Sequence, residues 1–354
     1  MKKIYCLIIN IFLITILFSC KEKNETYFKE FPETINMNKK LLDEYTLEGA
    51  LDNRYLYLYD SLLIIVQNRL ENGIFSIYSL NTQERLASFG KQGKGPDEFI
   101  DIGYPVIDKI HGLFWFIDYP KSTFYAYRIE DMVLNTENIK PIKEIKFDQL
   151  LLPFNYVVLE DTSIMIPASI HSDLCSIINT QGDVIKVIGN QPMFDSDGLP
   201  HLVYSDLHSR LMVFDNSKNE IVFTYHYYDK LLKYNLDTKE TFVVTGPDNI
   251  KQKAYAKEDG SLYRPITMKK GYYFSFKANS EKLFALYLGK PHFKPDRTGN
   301  YPKNIHVFNW ELEPLINLEF DKSVRCFDIN DEGTKLYIST EGSRNILVYD
   351  LDKI

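Results

Sequence analysis

Phe75-Ser76-Ile77-Tyr78-Ser79-Leu80, a polar turn, then Arg85-Leu86-Ala87-Ser88-Phe89-Gly90: this phrase of two strands decides the fold because it recurs. It returns as Phe124 to Ile129 before Ile142 to Phe147, as Ser176 to Asn179 before Val184 to Gly189, and as Leu232 to Leu236 before Thr241 to Val244. A fifth copy is Ile305 to Trp310 before Leu315 to Phe320. The sixth, Ile346 to Leu351, has no second strand after it. Aromatic and β-branched residues dominate these runs, as suits pleated, half-buried surfaces, and no long stretch has a helical period. From Leu80 to Leu351 the copies repeat about every 54 residues, room for a four-stranded sheet and in the range of propeller blades. The chain reads as all-β: one six-bladed β-propeller, with two packed β-sandwiches as the alternative.

A last blade without its outer strand leaves a sheet edge open, and a strand from the chain start closes it. Thr34-Ile35-Asn36-Met37 is placed to supply that strand. Upstream, Met1-Lys2-Lys3 precedes the apolar run Ile4 to Phe18 and then Ser19-Cys20. The run is too short to span a bilayer comfortably, and its flanks are those of a secretory signal. Leu17-Phe18-Ser19-Cys20 resembles the bacterial lipoprotein signal, which implies cleavage before Cys20 and lipid on that residue. The expected organisation is a signal peptide over 1–19, a lipidated polar tether over 20–30 and the propeller over 31–354. The mixed charges of Lys21 to Glu30 leave the periplasmic or the outer surface open.

Removal of the signal takes Lys2 and Lys3 with it and moves the formal charge from −7 to −9. No basic cluster remains to hold a nucleic-acid backbone, so nucleic acid is not an expected partner. Cys175 and Cys326 are then the only free thiols. Both lie in apolar strand text and read as buried apolar cysteines, although export permits a disulfide. Neither has the short spacing of a metal site, and no cofactor is implied.

Phe89-Gly90-Lys91-Gln92-Gly93-Lys94-Gly95-Pro96-Asp97-Glu98-Phe99 is the most distinctive segment. It lacks the Gly-Lys-Ser or Gly-Lys-Thr of a phosphate loop and no amphipathic helix follows, so it reads as the crossing from blade 1 to blade 2. Asn330-Asp331-Glu332-Gly333-Thr334 reads as a hairpin turn. The lipobox, this crossing and the six copies together resemble the TolB-like six-bladed propeller lipoproteins, a group close to the NHL-repeat propellers. The resemblance implies fold and envelope location and carries over no catalytic residue.

In a propeller, the links between second and third strands emerge on the same face as the links between blades. These segments carry Arg69, Asp118, Tyr119, Lys121, His171, Tyr227, Asp229, Lys290, His292, Arg297 and Arg344, joined by Lys91 and Lys94. Such a polar, aromatic and rather basic ring suits an anionic or carbohydrate ligand, and a glycan, peptide or partner protein is expected to bind there. The expected function is a non-catalytic cell-envelope lipoprotein of the outer membrane, anchored through Cys20 and binding through this mouth. The alternative is a propeller enzyme acting on sugars, a lactonase-like hydrolase with an axial ion or a glycan-cleaving enzyme with paired carboxylates.

Overall fold

The computed structural model describes residues 25–50, 53–67, 73–95, 97–134, 139–148, 155–168, 173–192, 194, 207–248, 255–256, 262–263, 270–291, 301–352 and 354. Six antiparallel sheets form the ring. Their innermost strands are Asn53–Tyr59, Val106–Asp108, Val157–Val158, Arg210–Asp215, Lys270–Ala278 and Val324–Ile329 for blades 1 to 6. The third strands, Phe75–Ser79, Thr123–Arg128, Asp173–Ile178, Lys230–Asn235, Asn304–Asn309 and Asn345–Asp350, coincide with the six repeated phrases.

The apolar side chains gather at the junctions between neighbouring blades. Tyr57, Phe75, Phe89, Phe99, Phe114 and Phe116 fill the junction of blades 1 and 2. Trp115, Phe124 and Ile164 fill the next, and Leu174, Phe223 and Tyr234 the one after it. The remaining three are centred on Leu231 with Tyr273, Leu286 with Phe327, and Leu58 with Ile346. Each blade therefore buries both faces, which explains the near-continuous apolar text of strands such as Leu113–Asp118. Cys175 and Cys326 are free thiols within this packing, and burial pushes each up to about 12, so neither supplies a thiolate near neutral pH.

The chain start joins the ring in three places. β1 (Glu25–Tyr27) runs parallel to Thr241–Thr245 on the outer edge of blade 4. β2 (Glu33–Asn36) runs parallel to Pro314–Glu319 on blade 5, and β3 (Leu41–Thr46) pairs antiparallel with Asn345–Asp350 to complete blade 6. The closing strand is thus Leu41–Thr46, not Thr34–Met37. The Asn36 side chain accepts from Asn38 N at 3.0 Å and caps a 3₁₀ turn over Met37–Lys40, which ends pairing on blade 5. Ile35 and Met37 pack where blades 5 and 6 meet, which is what makes their apolar text strand-like.

Residues 25–30, within the span expected as tether, and Phe31 just after it also contact the ring. Glu25 pairs with Lys230, Phe28 and Phe31 pack on Phe308, and Phe31 also lies 4.4 Å from the His306 ring. These partners lie about 200 to 280 residues downstream, beyond the reach of a local composition reading. Cys20 lies outside the described residues.

Candidate functional site

The innermost strands of all six blades enclose one axial cavity of about 510 Å³. Its wall includes Tyr57 from blade 1, Met212 from blade 4, Lys277 from blade 5 and Asp328 from blade 6. Tyr57 and Met212 reach this wall from the cores of the blade junctions. Lys277 and Asp328 stand in mostly apolar first strands that carry one other charge each, Lys270 and Arg325, and the ring closure brings them together. The Lys277 ammonium stands 3.3 Å from Asp328 Oδ1 and 3.9 Å from the centre of the Tyr57 ring. The other Asp328 oxygen accepts from Leu58 N at 2.8 Å. A cation–π contact and a shielded ion pair are thus fused into one element of the wall.

The two ends of the cavity differ. At one end the lining reaches Lys109, Asn279, Ser280, Asn330 and Asp331, all at turns between first and second strands. Lys109 of blade 2 pairs there with Asp331 of blade 6, spanning the lip over blade 1. Toward the other end, Tyr104 of blade 2 crosses the axis, and its hydroxyl donates to the Phe274 carbonyl of blade 5 at 2.9 Å. Its ring lies 4.6 Å from that of Tyr55. The cavity therefore reaches the turn face opposite to the mouth expected from the sequence.

The expected mouth residues separate into two groups. Asp118 is fully buried and accepts from Ile100 N and Asp101 N at 3.0 and 3.3 Å. Lys121 donates to the carbonyls of Gly95 and Glu98, the first at 3.0 Å. Tyr119 is half-buried in the turn that Ser122 N closes on its carbonyl at 3.0 Å. Tyr227 packs in the junction of blades 3 and 4. These four serve the fold, and so does Asp229, which accepts from the Tyr273 hydroxyl at 3.1 Å and Asp248 N at 2.9 Å. Burial pushes Asp229 up to about 6. Lys91, Lys94 and Arg344 are exposed, as is Lys290, which stands in the second strand of blade 5 rather than a loop. Arg69, His171, His292 and Arg297 lie outside the described residues.

The glycine-rich crossing is likewise a structural clamp. Gly95 N donates to Glu98 Oε2 at 2.9 Å, and a Cβ on Gly93 would stand 2.0 Å from the same oxygen. Phe89 and Phe99 anchor the ends of the segment, stacked on Phe75 at 4.7 Å and edge-on to Phe116 at 4.9 Å. Pro96 lies outside the described residues.

The signal that sequence reading passed over is a charge amid the aromatic and apolar residues of a first strand, Lys277 and Asp328 above all. Among the described residues no group of three or more His, Cys, Asp or Glu is placed to hold a metal ion.

A family model for TolB-like six-blade propellers matches residues 54–332. The chain belongs to the TolB-like six-blade propeller family. No curated protein matches it. Among solved structures, this TolB-like propeller is similar to a member of the DUF4221 family from Bacteroides vulgatus, at 11% identity and a TM-score of 0.55. That match covers 88% of this chain and 96% of the other. It is similar also to a protein from Bacteroides fragilis whose assignment as exported is itself an inference, at 12% identity and a TM-score of 0.54, covering 92% and 98% of the two chains. Both likenesses concern the fold.

Proposed function

We propose that this protein is a non-catalytic, lipid-anchored binding propeller of the cell envelope that takes a neutral polar ligand, one or two sugar rings in size, into its axial cavity. The lining carries this reading. The volume falls in the range of small-molecule sites, and the two charge pairs, Lys277 with Asp328 and Lys109 with Asp331, balance themselves. An ionic ligand would have to break one of them, whereas a hydroxyl-bearing ring can stack on aromatic walls and bond to Ser275 and the paired charges without doing so.

An ammonium already seated against Asp328 also opposes a divalent ion on the axis, which sets this reading apart from a metal-dependent lactonase. The basic, apolar, Ser-Cys order of residues 1–20 supports a lipid anchor at Cys20, and the exported assignment of the B. fragilis neighbour agrees with an envelope location.

The test is calorimetric titration of the full chain with mono- and disaccharides. Ser280→Trp, at the exposed lip, should abolish binding, and joint replacement of Lys91, Lys94, Lys290 and Arg344 by Ala should leave it intact. The reverse pattern would move the site to the opposite face. Binding of short peptides with no saccharide response would show the ligand class to be wrong.

A further inference from the structure

Asn155 stands just before Val157–Val158, the innermost strand of blade 3, and lines the axial cavity. Its side-chain oxygen accepts from the backbone N–H of buried Met212 in blade 4 at 2.9 Å. That bond fixes which way the amide lies. Turned over, it would set its own NH2 against the Met212 N–H and leave a buried donor orphaned. The Nδ2 hydrogens are therefore held in one place, and they have no hydrogen-bond partner among the described residues.

Across the axis the chemistry is different. Blades 3 and 6 stand three places apart in a ring of six, so Asp328 belongs to the wall opposite Asn155. There the Asp328 carboxylate can accept and the Lys277 ammonium can donate, whereas the amide nitrogen of Asn155 can only donate. Asp328 pairs with Tyr337 across its hairpin and Met212 pairs with Phe223, so Met212 stands one residue farther from the lip, about 3 Å deeper. A ligand that touches both walls lies obliquely, with an acceptor oxygen at its inner end and hydroxyls beside the ion pair.

We propose that Asn155 is the specificity-determining donor of the axial cavity, and that its ligand is a saccharide whose inner end presents an acceptor oxygen to Nδ2. The inference rests on the sugar-binding reading of this cavity. A ligand that displaces water from Nδ2 without supplying an acceptor forfeits that hydrogen bond, so Asn155 sorts ligands by the group they carry at one end. Stacking on an aromatic wall accepts any ring and cannot make that distinction.

The experiment is calorimetric titration of the full chain and two variants with glucose, galactose, mannose, N-acetylglucosamine, cellobiose and lactose. Asn155→Asp keeps an oxygen for Met212 N and replaces the NH2 by a second acceptor. It should weaken the best-bound saccharide at least about tenfold with little change in melting temperature. Asn155→Ala loses both bonds and should weaken binding about threefold to tenfold, with a lower melting temperature. The monodeoxy analogue that loses affinity for wild type should lose none for Asn155→Ala, since its missing oxygen no longer has a donor to meet. Weak binding by Asn155→Ala beside wild-type binding by Asn155→Asp would make Asn155 a strut for Met212 and overturn the proposal. Asn155→Ala binding as tightly as wild type would overturn it too, as would a deoxy loss equal in both proteins. Those results strike this inference alone, whereas a wild type silent to all six sugars removes the sugar reading and the inference together.

Discussion

His306 offers the sharpest test of how the blades are sealed. Its ring is 5% exposed, stacked 3.9 Å from Tyr287 and covered by Phe31 at 4.4 Å, and its Nδ1 has no hydrogen-bond partner. Burial lowers its pKa from 6.5 to about 3. The unfolded chain takes up a proton below pH 6.5 that the native state refuses until about pH 3, so stability falls as pH drops through that window. Each pH unit is worth 1.36 kcal/mol, and going from above 6.5 to pH 5.0 removes about 2 kcal/mol. Asp229 works in the opposite direction: its pKa rises from 3.8 to about 6 by burial, so the native state holds the extra proton and gains about 1 kcal/mol between pH 6 and 5. Wild type alone would mask both, and the comparison must be with variants. Urea unfolding of His306→Phe at pH 7.5 and 5.0 should show an acid-induced loss about 2 kcal/mol smaller than that of wild type. Asp229→Asn should show one about 1 kcal/mol larger. Equal pH responses of wild type and His306→Phe would refute a neutral, desolvated imidazole beneath the chain start.

Three other outcomes are expected. Lys277→Met leaves Asp328 without its cation in a shielded wall and should lower unfolding free energy by about 3 kcal/mol, with much of the loss restored in Lys277→Met/Asp328→Asn. Tyr104→Phe removes the hydroxyl that ties blade 2 to blade 5 across the axis and should cost about 1 kcal/mol in chemical denaturation, with the fold unchanged by circular dichroism. Deletion of residues 25–36 uncovers the edges of Thr241–Thr245 and Pro314–Glu319 and should give a folded but aggregation-prone ring, seen as concentration-dependent light scattering. Deletion extended through Thr46 should abolish the cooperative transition.

The repeated phrases located the blades because third and fourth strands are long enough to show their pattern, as in Thr123–Arg128 and Pro314–Glu319. The innermost strand of blade 3 is only Val157–Val158, too short for any period to register. The chain start was misread for a different reason. β1, β2 and β3 draw their order from partners far along the chain, and six-residue β3 has almost no buried side chain to announce it. Part of the candidate mouth is taken up by the fold. Asp118 and Lys121 are polar residues of the links, as expected of ligand contacts, yet their polar atoms go to backbone groups of the crossing. Composition does not separate a charge that satisfies the chain's own carbonyls from one that waits for a ligand. Lys277 and Asp328 were within reach, since a charge amid the apolar residues of a mostly buried strand demands a partner.

The three strands at the chain start have a consequence for the order of synthesis. They leave the ribosome, and cross any membrane, ahead of everything they pair with. Glu44 and Asn345, joined in the closed ring, are 301 residues apart. Until blade 6 exists, β3 has nothing to bond to, and its exposed Asp43 and Glu44 keep it soluble while it waits. Blades 1 to 3 accumulate meanwhile as an open arc with both ends unpaired. Closure is thus a late, long-range event whose loop entropy is spent before its contacts form, which makes folding slow. The same arrangement leaves an emerging chain with no completed ring, and it binds the fate of the last blade to that of residues made long before it.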